Sequence, residues 1–568
     1  MTAGRGRFRN LPFQVALLGA ALGCVPPPER PPARPEPRAP DYSLSVRVLP
    51  AERRLEVTGT LRLPPADTTR EALRLRLSER MADLRVEILE PAPGAGPASV
   101  ERASTGASPG RVAGERLSGE WIVRPGRAIP ARQPVLLRFS YQGSGEVAFL
   151  HYIGPEVAFA SGWGDPWYPR VEGVPGMGTG ELTVQVPAGW KSITGGVRRS
   201  TAEEEARGTF RSSQPLPTYF TFCAGPYTVV RRAGAVPLSA WLLKPRDHAD
   251  AWLAGVSAMQ DVLGAEFGPY PFEALALVEV PRAIARQAGF NAFSPSGFLV
   301  LNSRAFDVPD ARYLHEWLGH EMSHQWFPHA VTWDPPGFLY LEEALAEYGG
   351  MRVVEELAGP EAARRQRTSG FEYDPIYSAA AYFRLVGAGV DQPLAGMGPG
   401  IDQRNLAYNK GSLVFDMLSR EIGRDRFRQV LHGVTRGRRM STITWRAFLD
   451  AVDAGSGRDM GWFFDQWLNR AGAPDFRLSW TRQGDSVRGT VTQGAPFYRA
   501  HLEIELRGGG GERMVRVVEI TGARAAFTAA PGFRTVDVVL DPDYEVLRWT
   551  PEYRALADSV RSARSVPP

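Results

Sequence analysis

The chain has 568 residues, a net charge of +4 and a 43% hydrophobic fraction. That length suggests three or four domains of ~150 residues each, with enough apolar content for ordinary globular cores. Its basic residues are almost all arginine, Lys191, Lys244 and Lys410 being the only lysines. No long basic run appears, so a nucleic-acid partner has no support. Two cysteines, Cys24 and Cys223, exclude a disulfide framework in the folded body.

The N-terminus reads as a targeting segment. Arg5, Arg7 and Arg9 precede an apolar run, Leu11 to Gly23, too short for a comfortable membrane span. Ala21-Leu22-Gly23-Cys24 resembles a bacterial lipobox. The resemblance implies a signal peptide over residues 1–23, lipidation of Cys24 and a lipid-anchored place in the bacterial cell envelope. The alternative is a plain secretory signal, with a secreted or periplasmic product. Residues 24–41 form a proline-rich tether, expected to be extended.

From 42 to 227 the pattern is β-like. YSLSVRVLP, RRLEVTGTLRL, PVLLRFSYQG and ELTVQVP alternate in polarity between turn residues, which predicts an antiparallel β-sandwich or saddle. Gly94 to Arg111 reads as a flexible loop. Cys223 reads as a small buried hydrophobe. A second region, 228–474, opens with a helical run through ADAWLAGVSAMQDVLGAEF and a buried strand at ALALVEVP. Alternation returns in 475–552, which predicts a small C-terminal β-sandwich, and 553–568 reads as a frayed tail. The fold class is therefore multidomain α+β.

The second region carries the chemistry. Four of the eight histidines fall between His315 and His329. Among them His320-Glu321-Met322-Ser323-His324 is an H-E-x-x-H. Positions i and i+4 lie ~40° apart on one helix face, so His320 and His324 can point at one ion. Glu321 stands at the edge of that face, placed to take a proton from a metal-bound water. Asp307 as a cap, Pro309 and Asp310 predict the helix start, and Pro328 predicts its end near Phe327. A catalytic zinc takes three protein ligands and a water. The second helical pattern, FLYLEEALAEYGGMRVVEELAG, supplies Glu343, separated from His324 by eighteen residues. A chance H-E-x-x-H on a solvated helix is the bland alternative. His315 and His329 read as structural or surface residues. Glu347, one turn past Glu343, either orients a ligand histidine or is exposed.

HEMSHQWF followed by LEEALAEY resembles the H-E-x-x-H-x18-E signature of the aminopeptidase N-like zinc metallopeptidases (gluzincins). The resemblance implies a thermolysin-like α/β catalytic domain and one zinc per chain on His320, His324 and Glu343. It implies Glu321 as the catalytic base and a peptide substrate. Tyr408-Asn409-Lys410-Gly411 resembles the family's Y-x-K-G, which makes Tyr408 the donor to the oxyanion. Trp167-Tyr168-Pro169 resembles its W-[FY]-P element, or is simply core.

The sequence departs from the family's G-x-M-E-N, whose glutamate binds the substrate's α-amino group. Gly289, Phe290 and Asn291 occupy that region, as do Ser296 to Leu299 further on, and no acidic residue lies between Pro281 and Leu301. Glu342, beside Glu343, is a substitute for that carboxylate, and Asp165 is the only acidic residue near the W-[FY]-P element. Pro328-His329 stands where Gly-Asn is common. Arg282 and Arg286 either favour an acidic substrate group or are surface residues. The expected activity is an aminopeptidase acting on short peptides. The alternatives are zinc hydrolysis of an N-blocked peptide, ester or epoxide, and a non-catalytic membrane-tethered binding protein.

Overall fold

The computed structural model describes residues 39–91, 98–103, 118–174, 177–333, 338–370, 378–398, 400–437 and 441–565. The signal, most of the tether and Cys24 lie outside them.

The alternation in the first region does produce sheets. In Asp41–Leu49 the residues Tyr42, Leu44, Val46 and Val48 face inward and their neighbours outward, as period-2 patterning requires. This strand sits inside a seven-stranded sheet, antiparallel to Arg54–Leu63 on one side. On the other side it runs parallel to Gly178–Gln185, an exception to the antiparallel expectation. The close pairing needs glycine at 180, where φ is +132° and a Cβ would lie 1.8 Å from Tyr42 O. Ser99–Arg102 forms a strand within the stretch expected to be loop; the rest of that loop lies outside the described residues.

Trp167 and Tyr168 are fully buried in the core of this region. Trp167 Nε1 donates to Phe220 O at 2.8 Å, and its own carbonyl accepts from Tyr141. The W-Y-P element is therefore core. A smaller sheet (Lys191–Thr194, Phe222–Gly225, Ala158–Ala160 and His151–Ile153) shares a hydrophobic cluster with the second region, through Phe159, Tyr227, Trp241, Val278 and Val300. Cys223 belongs to that cluster, and burial pushes its thiol up to about 12, so it behaves as an inert hydrophobe.

The second region is built on a five-stranded sheet. β1 (Thr228–Arg232) pairs antiparallel with β2 (Leu238–Leu242). β2, β3 (Leu275–Val280) and β5 (Phe298–Asn302) run parallel, and β4 (Ala292–Phe293) closes the edge antiparallel to β5. Every residue of β3 and β5 is buried, which explains their unbroken apolar reading. Helix α1 (Ala249–Phe267) lies between the sheet and two further helices, α2 (His315–Ser323) and α3 (Phe338–Ala358).

Two three-stranded sheets follow from Arg477 to Leu540 and share their core with the helices before them. The expected frayed tail is a correction: Pro551–Ser565 is helical. Tyr553 and Ala557 lie one turn apart. Tyr553 stacks on Phe383 at 4.8 Å, and Ala557 packs against Gly387. Burying an aromatic side chain contributes a few kcal/mol, on the order of 1.5–3, enough to hold a short helix against a neighbour.

Candidate functional site

The zinc-helix expectation holds in register but not in its bounds. A 3-10 turn, Ala311–Leu314, comes first, capped by the Asp310 carboxylate on Arg312 N at 2.9 Å; Asp307 instead ends an earlier turn. α2 starts at His315 and stops at Ser323, short of Pro328. Ser323 Oγ donates back to Gly319 O, and Trp326 and Phe327 drop into the core, both fully buried. Their burial pulls the chain off the helix axis before proline can. His324 keeps helical dihedrals (φ −59°, ψ −18°), so the i, i+4 relation survives.

Small residues bring α3 against α2. A Cβ on Gly319 would lie 3.1 Å from Gly350 Cα, and one on Gly350 would lie 2.9 Å from Glu316 O. Without side chains at this crossing the two backbones approach closely, and Glu343, two turns before Gly350, reaches the histidines. His320 Nε2 and His324 Nε2 are 3.1 Å apart. Glu343 Oε2 lies 3.7 Å and 3.5 Å from them. The other ring nitrogens are committed: His324 Nδ1 donates to Phe327 O at 2.9 Å, and His320 Nδ1 to Glu347 Oε2 at 3.1 Å. Each ring thus turns its Nε2 toward Glu343. Glu347 is buried and orients a histidine, so the exposed alternative fails. Gln366 Nε2 bridges Glu347 and Glu316 at 3.3 and 3.2 Å.

This arrangement calls for positive charge. Burial alone would lower the His324 imidazole, but Glu343 facing it raises it to about 9. Burial would raise Glu343, yet His324, Arg404 and His320 hold it below the usual carboxylate range. Glu342 is pushed up by burial and by Glu343 beside it. Glu343 Oε2 is buried and makes no hydrogen bond, a defect costing about 1–3 kcal/mol if left bare. Two imidazoles and a carboxylate, their donor atoms all within 4.8 Å of one another, are a donor set that fits zinc.

Tyr408 stands over the pair, its ring 5.6 Å from that of His320. It lies in a π turn, Ala407–Gly411, whose extra residue re-aims a side chain as such bulges do at functional sites. Asn409 holds the turn by accepting from Ser378 N at 2.9 Å and donating to Asn405 O at 2.8 Å. Lys410, fully buried, donates to Arg470 O at 3.0 Å.

A cavity of about 500 Å³ opens over these groups. Gly289, Phe290, Asn291 and Glu342 all line it; Asp165 and Ser296 do not. Asp165 is buried against Ser78 Oγ at 2.7 Å, and burial raises it to about 7. Ser296 bonds Thr218. Arg282 and Arg286 are exposed on a short helix away from the cavity, which favours the surface reading. Arg404 belongs to no motif singled out above; its guanidinium stacks over Trp163 at 5.6 Å with Nε 3.7 Å from Glu343 Oε1. Ser294, also not singled out, donates to Glu321 Oε2, and His329, read above as structural or surface, bonds Ser294 O through Nε2. Burial pushes His329 down to about 4, so it is neutral.

Fold and site together set two imidazoles and a carboxylate, a metal-binding donor set, on two packed helices. Residues 266–467 match the peptidase family M1 domain. The chain is 26% identical over 334 residues to aminopeptidase RNPEPL1 of Homo sapiens, covering 52% of this chain and 42% of that protein. It is 26% identical over 174 residues to aminopeptidase N of Lactococcus lactis, covering 28% and 18%. The chain thus spans less than half the length of these curated relatives. Among solved structures, an aminopeptidase A of Legionella pneumophila superposes with a TM-score of 0.64 at 15% identity, covering 91% of this chain and 61% of that one. An M1 zinc metallopeptidase of Deinococcus radiodurans gives 0.55 at 19% identity, covering 76% and 95%. At these identities the superpositions speak for the fold alone.

Proposed function

We propose that the protein is a zinc-dependent metallopeptidase, acting as an aminopeptidase on short peptides. His320, His324 and Glu343 would hold the ion, which when bound acidifies a water and polarises the scissile carbonyl. Glu321, one residue from His320 and facing the cavity, takes the water's proton and returns it to the leaving amine. Tyr408 donates its phenol proton to the oxygen that gains charge. Glu347 fixes the tautomer of His320. The observation that carries the reading is the buried Glu343 Oε2, without a hydrogen bond, facing the Nε2 atoms of two histidines. Metal analysis of the purified protein tests it: about one zinc per chain, with peptidase activity lost on chelation, is the expected result. No metal and no activity refutes it.

One observation favours a second reading. Among the described residues, no carboxylate lines the cavity from the edge strand or from the N-terminal region; of those outside the metal and base positions, Glu316 and Glu347 are engaged by Gln366, which leaves Glu342 for a substrate ammonium. Cleavage of N-blocked peptides follows if Glu342 does not serve. Comparing free with N-acetylated peptides separates the two. We further propose lipid anchoring at Cys24 in a bacterial envelope; palmitate labelling lost in Cys24→Ser is the expected result, and a plain secreted product is the alternative.

A further inference from the structure

The two stretches in which the chain departs from the family pattern, the one around Gly289 and Pro328-His329, meet beside Glu321. The turn that follows α2 grips the segment after β4 at three points. His329 Nε2 donates to Ser294 O, Gln325 Nε2 donates to Pro295 O at 3.0 Å, and Gly297 N donates to Gln325 Oε1 at 2.7 Å. Gln325 is fully buried, so this grip is not a loose surface contact. The segment so held returns one group to the site: Ser294 Oγ donates to Glu321 Oε2.

We propose that Ser294 is a positioning residue for the general base, with His329 and Gln325 fixing Ser294 in turn. A glutamate carboxylate swings about its outer torsions, and both its oxygens accept hydrogen bonds. With Oε2 held by the serine hydroxyl, only Oε1 remains to face a water, and the carboxylate keeps one orientation. A base held in place spends more of its time in the productive geometry, which acts on turnover and not on substrate affinity. The proposal rests on the metallopeptidase reading, but its structural half does not depend on it.

Two variants and one conservative replacement test it in the zinc-loaded enzyme. Ser294→Ala should lower kcat about tenfold, with KM and zinc content unchanged. Ser294→Thr, which keeps the hydroxyl, should recover most of the loss, and His329→Ala should lower kcat in the same direction by less. A kcat within twofold of the parent, no recovery by threonine, or a loss that comes with lost zinc or a raised KM overturns the proposal. Crystal structures of the metal-free parent and Ser294→Ala give an independent readout. Glu321 should hold one position in the parent and spread over several in the variant; one shared position in both overturns it. If the zinc-loaded parent cleaves no peptide while Glu321 behaves as stated in the crystals, the function reading falls and the positioning role stands.

Discussion

The cavity has two unlike walls. Among the described residues, every carboxylate lining it stands on α2 or α3: Glu316, Glu321, Glu342, Glu343 and Glu347. The facing wall, from the N-terminal region and the edge strand, is aromatic and uncharged, with Phe149, Trp163, Tyr219, Phe290 and Phe293. The helical wall concentrates charge where a cation and a moving proton need it. The aromatic wall binds by apolar contact and discriminates poorly between charged and capped ends. On the proposed function, the contrast teaches that hydrolysis and selectivity are built on separate elements, and the second has drifted further from the family pattern than the first.

The strongest way to break the helical wall is Glu321→Gln. It keeps shape and removes the base, so kcat should fall about 10³-fold, within the range for a positioned acid–base group, with zinc retained. A variant that still turns over within tenfold would mean that the base lies elsewhere. Next is Tyr408→Phe, which removes one oxyanion donor; kcat should fall about 10²-fold at nearly unchanged KM. Glu347→Gln acts one shell out, leaving the Nδ1 of His320 with a weaker acceptor. Zinc affinity, read by competition with a chelator, should fall about 10- to 100-fold.

The helical wall was largely legible in the sequence because metal ligation demands fixed residue types at fixed helical spacing. His320, His324 and Glu343 appear where the spacing put them, and Gly349-Gly350 in a helical pattern was a readable sign of a close crossing. The start of α2 was misplaced because Asp310, not Asp307, caps a 3-10 turn, Ala311–Leu314, that precedes α2, and α2 itself begins after Leu314 with no side-chain cap. The C-terminal helix was missed because one of its packing contacts is an alanine against Gly387, which carries little apolar signal. The aromatic wall was hidden for a different reason. Ser294 meets His329 across 35 residues of sequence and Glu321 across 27, and no local spacing encodes such contacts. Arg404 is one turn before Tyr408 on the same face, and that was the only available hint.

Glu342→Gln probes the seam between the walls. If Glu342 receives the substrate's ammonium, its loss should lower kcat/KM for free-amine peptides about tenfold and leave N-acetylated peptides unchanged. Equal effects on both would assign Glu342 to the metal site's electrostatics.

The smallest effect belongs to the aromatic side and concerns stability. His151 begins the strand directly after Phe149 and Leu150 and is 3% exposed, with Nε2 on Ser144 O at 2.9 Å. Burial pushes its imidazole down to about 4, from an ordinary 6.5. The unfolded chain therefore takes up this proton at a higher pH than the folded one. Stability from this group is complete above about 6.5 and is lost as the pH falls toward about 4. By pH 6 the loss amounts to about 1 kcal/mol. His151→Gln keeps a donor for Ser144 O and cannot titrate, so denaturant unfolding should show a shallower decline between pH 7.5 and 6 than in the parent. The difference between the two curves isolates His151 from His329, which is also lowered by burial. Parallel curves would mean that this side of the molecule accepts a charge after all, and the division between a charged and an uncharged wall would weaken accordingly.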